Sequence, residues 1–413
     1  MEQLNRVRRS LGMTGILLLL SAVAQAQTFT VLHNFTGGLD GANPYTGLTM
    51  DRAGNLYGTA LYGGLQVNDC HITNGCGTVF KLAKQGSGWI FRPLYQFQGF
   101  PSGDGANPLG RVIFGPDGAL YGTTAYGGLT AEGCGTTQPG CGTVFKLSPP
   151  PTPCRSFTCN WEETQIYNFT GTPGDGIQPQ GEIEFDAAGN LYGSTYVGGS
   201  AGGTVYKLTH VQGSWTQSVL ASFLSGWNPY GGVQLDQAGN VYVTTTTNAT
   251  VFQLVSSGAG WTLNNLHQFT DSYGVYDMLA GVIVGPGGNL YGGTTLELGG
   301  PVLYELSPSN GGWDYATLYT FSDYGLSANL VMDSAGNLYG TTFGSGRDRI
   351  YGSVFKLTPS NGAWTYTDLH DFTNSSDGAY PYSTIVLDPA GNLYGTASGG
   401  GVYGNGVVWE ITP

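Results

Sequence analysis

The chain has 413 residues, with 70 Gly, 20 Pro and 26 Tyr, while only 10% of positions are charged and 13% are aromatic. Gly does not recur at every third position, which excludes collagen, and many aromatics with few charges exclude a generic disordered chain. The formal net charge of −13 disfavours nucleic acid and anionic membrane surfaces as partners.

Residues 1–26 read as a secretory signal peptide. Arg6, Arg8 and Arg9 form a basic start, Leu11 to Ala24 is mostly apolar, and Ala24-Gln25-Ala26 has the small-x-small cleavage pattern. The apolar stretch is short for a membrane span, so the mature chain is expected to be secreted or periplasmic, with no membrane insertion. The mature chain, 27–413, is expected to be a single repeat-built domain with a net charge of −15, because the leader carries three Arg and one Glu.

Thr28 to Phe35 alternates like a strand and stands alone before the first repeat. From there the string D-x-x-G-N-L-Y-G-T, or a near copy, recurs seven times, with its Tyr at 57, 121, 192, 242, 291, 339 and 394. Each copy is followed by a G-T-V-F-K-L motif around Phe80, Phe145, Tyr206, Phe252, Tyr304, Phe355 and Trp409. A W-x4-L-x2-F motif follows six times, always with eight residues from Trp to Phe, as in Trp89/Phe97. Val, Tyr, Phe, Thr and Trp suit half-buried pleats, and Gly, Asp and Asn punctuate every junction. Each unit therefore reads as four strands, exemplified by Gly47–Asp51, Asn55–Thr59, Thr78–Leu82 and Trp89–Phe97.

Four short strands per unit of about 50 residues indicate a β-propeller blade. The seventh unit ends at Pro413 without a fourth strand, and Thr28–Phe35 supplies the missing one. The predicted fold is all-β: a seven-bladed propeller of four-stranded antiparallel blades, closed by the N-terminal strand completing the last blade. Closure removes the exposed edges that an open array would leave.

The motif set D-x-x-G-N-L-Y-G-T-T, Y-G-G and G-T-V-F-K-L resembles the GloVer tandem repeat of secreted bacterial proteins, over residues 28–413. The resemblance implies an extracellular or envelope-exposed repeat protein without an assigned activity. Members often carry a C-terminal anchoring segment. This chain departs from that pattern, since it ends on its last strand, and the sequence leaves its attachment open.

Six cysteines fall into three close pairs: Cys70 with Cys76, Cys134 with Cys141, and Cys154 with Cys159. Local disulfides are the simplest pairing in an oxidising compartment. Their spacings do not suit zinc. The first two pairs lie in long second-to-third loops, which share one face, here the top, with the blade-to-blade links. Four links read D-G-x-x-P, beginning at Asp40, Asp104, Asp175 and Asp377. Too few oxygens gather there for calcium, so they read as turns.

Aromatic residues that belong to neither strand motif mark the top face as a binding surface. The candidate ligand-binding residues are Trp227, Tyr230, Tyr45 and Tyr382, with His71 between two cysteines. Sugars stack on such rings. Along the channel, Arg111 and Glu182 are the only charges in their column, and Glu184 follows two residues on. These three form the alternative, a carbohydrate-active hydrolase or lyase at the channel mouth. No nucleophile triad, metal cluster or cofactor motif is present, so no metal and no cofactor are expected. The expected function is non-catalytic binding of a glycan or extracellular protein.

Overall fold

A computed structural model describes residues 27–65, 70, 74–100, 102–129, 134, 140–150, 161–172, 174–258, 260–269, 278–295, 300–322, 325–344 and 350–413. The leader expected over residues 1–26 lies outside the described residues, as do His71, Cys154 and Cys159. Among the described residues, no helix is long and apolar enough to cross a membrane.

Seven four-stranded antiparallel sheets form the ring. Blade 1 runs Thr49–Met50, Leu56–Ala60, Thr78–Gln85 and Gly88–Gln96 from inner to outer strand. Blade 7 contains Val386–Leu387, Leu393–Ala397 and Val407–Thr412, and its outer strand is the N-terminal Thr28–Asn34. In that pairing Val31 faces Trp409 and Thr28 faces Thr412. The N-terminal strand thus closes the ring. The paired part of most inner strands is only two residues long, shorter than the sequence pattern predicts. Residues just upstream, such as Gly47, line the channel instead of a ladder.

Each repeat motif has a specific task. The turn Asp51 accepts hydrogen bonds from the Ala53 and Asn55 backbone N–H groups, both at 2.9 Å. Its second oxygen accepts from the Asn55 side chain at 2.7 Å and from the Tyr57 hydroxyl at 3.0 Å. Gly54 closes this turn at φ +80°, which favours glycine. The glycine after the tyrosine serves close packing: a Cβ on Gly58 would lie 2.6 Å from the Phe80 ring. The following threonine stitches blades together. Thr244 donates to the Ala280 carbonyl at 2.8 Å, and Thr396 donates to the Thr46 carbonyl at 2.9 Å across the closure.

The core is divided among the blade interfaces rather than gathered at one centre. Leu94 and Phe97 of blade 1 pack with Val112 and Phe145 of blade 2, and Phe35 and Val408 of blade 7 pack with Leu48 and Phe80 of blade 1. In blades 1 to 6 the motif Trp packs on the second-strand Tyr of the blade before it. Trp161 meets Tyr57 at 6.2 Å between ring centres, Trp215 meets Tyr121 at 6.3 Å, and Trp89 meets Tyr394 at 5.8 Å over the seam. Burial of such large rings is the main stabilising term.

Candidate functional site

The inner strands descend from the top face to the Asp turns, so consecutive same-side positions form layers of a channel. The uppermost layer carries aromatic rings from the links. Tyr45 precedes blade 1 and Tyr382 precedes blade 7, and the two stack across the seam at 4.9 Å and 25°. Tyr230, at the start of blade 4's inner strand Pro229–Leu235, packs edge-on to Tyr196 at 5.9 Å. All three are half-buried and line one cup of about 70 Å³. Burial raises the Tyr382 pKa, with the nearby Tyr45, Tyr230 and Tyr380 adding to the shift.

The next layer floors the cup. Arg111 Nη2 donates to Glu182 Oε2 at 3.1 Å. Asn329 Nδ2 donates to the same oxygen at 3.2 Å, and Thr384 Oγ1 donates to Glu182 Oε1 at 2.8 Å. One carboxylate thereby ties together blades 2, 3, 6 and 7. Below this plug a wider vestibule of about 820 Å³ opens on the opposite face, walled by Ile283, Val331 and Val386. The four plug residues line both spaces, so the channel is constricted at their level.

Glu184 sits one layer lower and is held by blade 4. It accepts from the Leu235 backbone N–H at 2.7 Å and from Gln234 Nε2 at 2.9 Å. Burial pushes its pKa up to about 7, against the lowering pull of the Leu235 N–H and Arg111. Sequence spacing places Glu182 and Glu184 on one side of a strand. The structure adds that each is bonded to a different set of blades.

Trp227, a leading ring in the sequence reading, stacks on Phe252 at 5.5 Å and 24° and packs against the core between blades 3 and 4. It is not among the residues lining the cup. Disulfides join Cys70 to Cys76 and Cys134 to Cys141, as local pairing predicts. The third disulfide expected from the sequence, between Cys154 and Cys159, is not among these bonds. Both Cys154 and Cys159 lie outside the described residues, so that pairing stays an expectation. The link aspartates are occupied by local donors. Asp40 accepts from Thr36 and His33, and Asp104 from the Gln98 N–H and Tyr95 hydroxyl. His33 and Tyr95, each two residues before the closing Phe of its strand, thus do the same task, and His370 repeats it on Asp377. Among the described residues, no cluster of three or more His, Cys, Asp or Glu could hold a metal.

Two features carry no simple sequence signal. Asn329 and Thr384 share the repeat column of Arg111 and Glu182, but their bonds to Glu182, and the entry of Ser327 into the cup, follow only from closure of the ring. Exposed apolar side chains gather on the top loops and links, where Leu39, Leu129, Leu224, Ile350, Val402 and Tyr403 are each more than half exposed.

The family model described as Gloeobacter/Verrucomicrobia repeat matches residues 14–158 and 245–413. No curated protein matches the sequence. Several solved structures share the fold. The extracellular domain of BT4673 from B. thetaiotaomicron is similar at 10% identity and TM-score 0.56, over 92% of this chain and 39% of that one, so this chain spans well under half its length. The polysaccharide lyase Uly1 is similar at 13% identity and TM-score 0.51, over 90% of this chain and 89% of that one. A candidate 6-phosphogluconolactonase from Bacteroides uniformis ATCC 8492 is similar at 14% identity and TM-score 0.50, over 80% and 84%.

Proposed function

Since the chain belongs to the Gloeobacter/Verrucomicrobia repeat family, we propose that it is a non-catalytic binding propeller of the cell exterior that holds a glycan at the top mouth of its channel. The observation that carries this reading is the cup itself. Tyr45, Tyr230 and Tyr382 line one space, and each ring brings an apolar body and a polar tip to it. Its floor is a carboxylate already accepting three hydrogen bonds. Through these bonds Glu182 holds four blades together. The two disulfides suit an oxidising compartment. The apolar top loops would add contacts to whatever presents the glycan.

A second reading keeps the channel as an enzyme site. Its support is Glu184, whose pKa near 7 fits a general acid. Against it stands the placement of Glu184 below the plug, bonded to the blade-4 backbone. Glycan-array binding followed by titration calorimetry tests the first reading. Tyr382→Ala and Tyr45→Ala are expected to weaken glycan binding about tenfold or more, roughly the loss of one stacked ring. Trp227→Ala is expected to leave binding unchanged. Turnover of an array hit that disappears in Glu184→Gln with the fold intact would favour the enzyme.

A further inference from the structure

Arg111 lies on the floor of the cup with most of its donors unused. A guanidinium presents five N–H groups in a planar fork. Here Nη2 meets Glu182 Oε2, Nε is buried without an acceptor, and the side chain is still 29% exposed. Glu182 has no comparable spare capacity, because both its oxygens are engaged by Arg111, Asn329 and Thr384. The floor is therefore asymmetric. A group entering the cup meets the cationic Arg111 side chain and an anion that is already satisfied.

The size of the cup narrows the choice of group. The cup, with about 70 Å³ of accessible space, brings a small charged substituent to Arg111 on its floor. Of the anionic substituents that sugars carry, a carboxylate is the small planar one and meets a guanidinium with charge-assisted bonds, whereas a sulfate or phosphate ester is tetrahedral and bulkier. A hydroxymethyl group would gain only neutral ones.

We propose that the cup selects glycans whose terminal sugar is a uronic acid, with the sugar against the tyrosines of the mouth and the carboxylate on Arg111. This rests on the reading of the top mouth as a glycan site. The formal net charge of −13 repels long polyanions, but screening confines that field to roughly 8 Å at physiological salt. The ligand is accordingly a glycan with an isolated terminal uronate, not a continuous polyuronate.

The test is calorimetric titration of the full chain with oligosaccharides ending in glucuronic or galacturonic acid. The same oligosaccharides with the carboxyl reduced to hydroxymethyl serve as the matched ligands. Wild-type protein is expected to bind the acid form about tenfold or more tightly than the reduced form. Arg111→Gln is expected to bind the two forms equally, and Arg111→Lys, which keeps the charge without the fork, to fall between. Thermal melts check that the variants fold. The ligand comparison in wild-type protein stands even if they do not. Equal wild-type binding of both forms, lost in Tyr382→Ala, overturns the uronate selection and leaves the tyrosine mouth standing. No binding of either form, together with no neutral glycan on the array, overturns both.

Discussion

A tyrosine hydroxyl near the start of each second strand calls for a carboxylate, and the chain meets that need in three ways. Asp51, Asp186, Asp236, Asp333 and Asp388 supply it from the turn. Blade 2 has Gly115 at that position, and Asp117 accepts from Tyr121 instead while pairing with Lys146 at 2.7 Å. Blade 5 has Gly285 there, and Glu305 of the third strand accepts from Tyr291 at 3.1 Å. Asp333→Ala removes the acceptor for the Ala335 and Asn337 backbone N–H groups, the Asn337 side chain and the Tyr339 hydroxyl. It is expected to cost about 1–3 kcal/mol in urea unfolding. Despite partial burial, which raises the pKa, the donors hold Asp51, Asp117, Asp186, Asp333 and Asp388 below the usual carboxylate value. A depressed folded pKa contributes stability that is present above the unfolded value and lost as pH falls through the folded one. Acid unfolding is therefore expected to set in below about pH 4. Glu163 has the opposite sign. Burial, with Asp104 beside it, pushes its pKa up to about 8. Its share of stability is expected to decline from about pH 4 to pH 8, and urea unfolding of Glu163→Gln should show that decline removed.

At the scale of strands and blades, the constant spacing of eight from Trp to Phe records an inter-blade contact. The Trp lies on the previous blade's tyrosine, and the Phe, such as Phe97 beside Phe145, enters the next interface. The same count from Phe35 lands on Gln27, so the interface of blades 6 and 7 has no motif Trp. There Phe29 stacks on His370 at 3.7 Å between centres and also meets Trp409. Deleting Thr28–Phe35 would expose Val407–Thr412 as an open edge. The deletion is expected to lower the thermal midpoint and cause aggregation, read by circular dichroism and light scattering. Blade number, strand order and closure were legible because they depend on a pattern repeated along the chain. The extent of the inner strands was less so, since each meets a curved channel wall rather than a full ladder.

For the whole molecule, closure does more than protect an edge, because it assembles the site. Tyr45 and Tyr382 come from opposite ends of the chain, as do Thr46 and Thr396. Arg111 and Glu182 could be placed on neighbouring blades from their repeat column alone. That Asn329 and Thr384 reach the same carboxylate could not, since it depends on the channel radius. Nor could the packing of Trp227 on Phe252, because a link aromatic can turn outward or inward with the same sequence. Everything proposed for the mouth depends on the first strand lying against the last. The most direct check is the double variant Thr28→Cys/Thr412→Cys, placed at facing positions of that pair. Peptide mapping by mass spectrometry after oxidation should find an intramolecular 28–412 disulfide in the folded monomer, with a raised thermal midpoint. If those two thiols stay free, or join only between separate chains, the ring is not closed in this way and the tyrosine mouth does not exist as described.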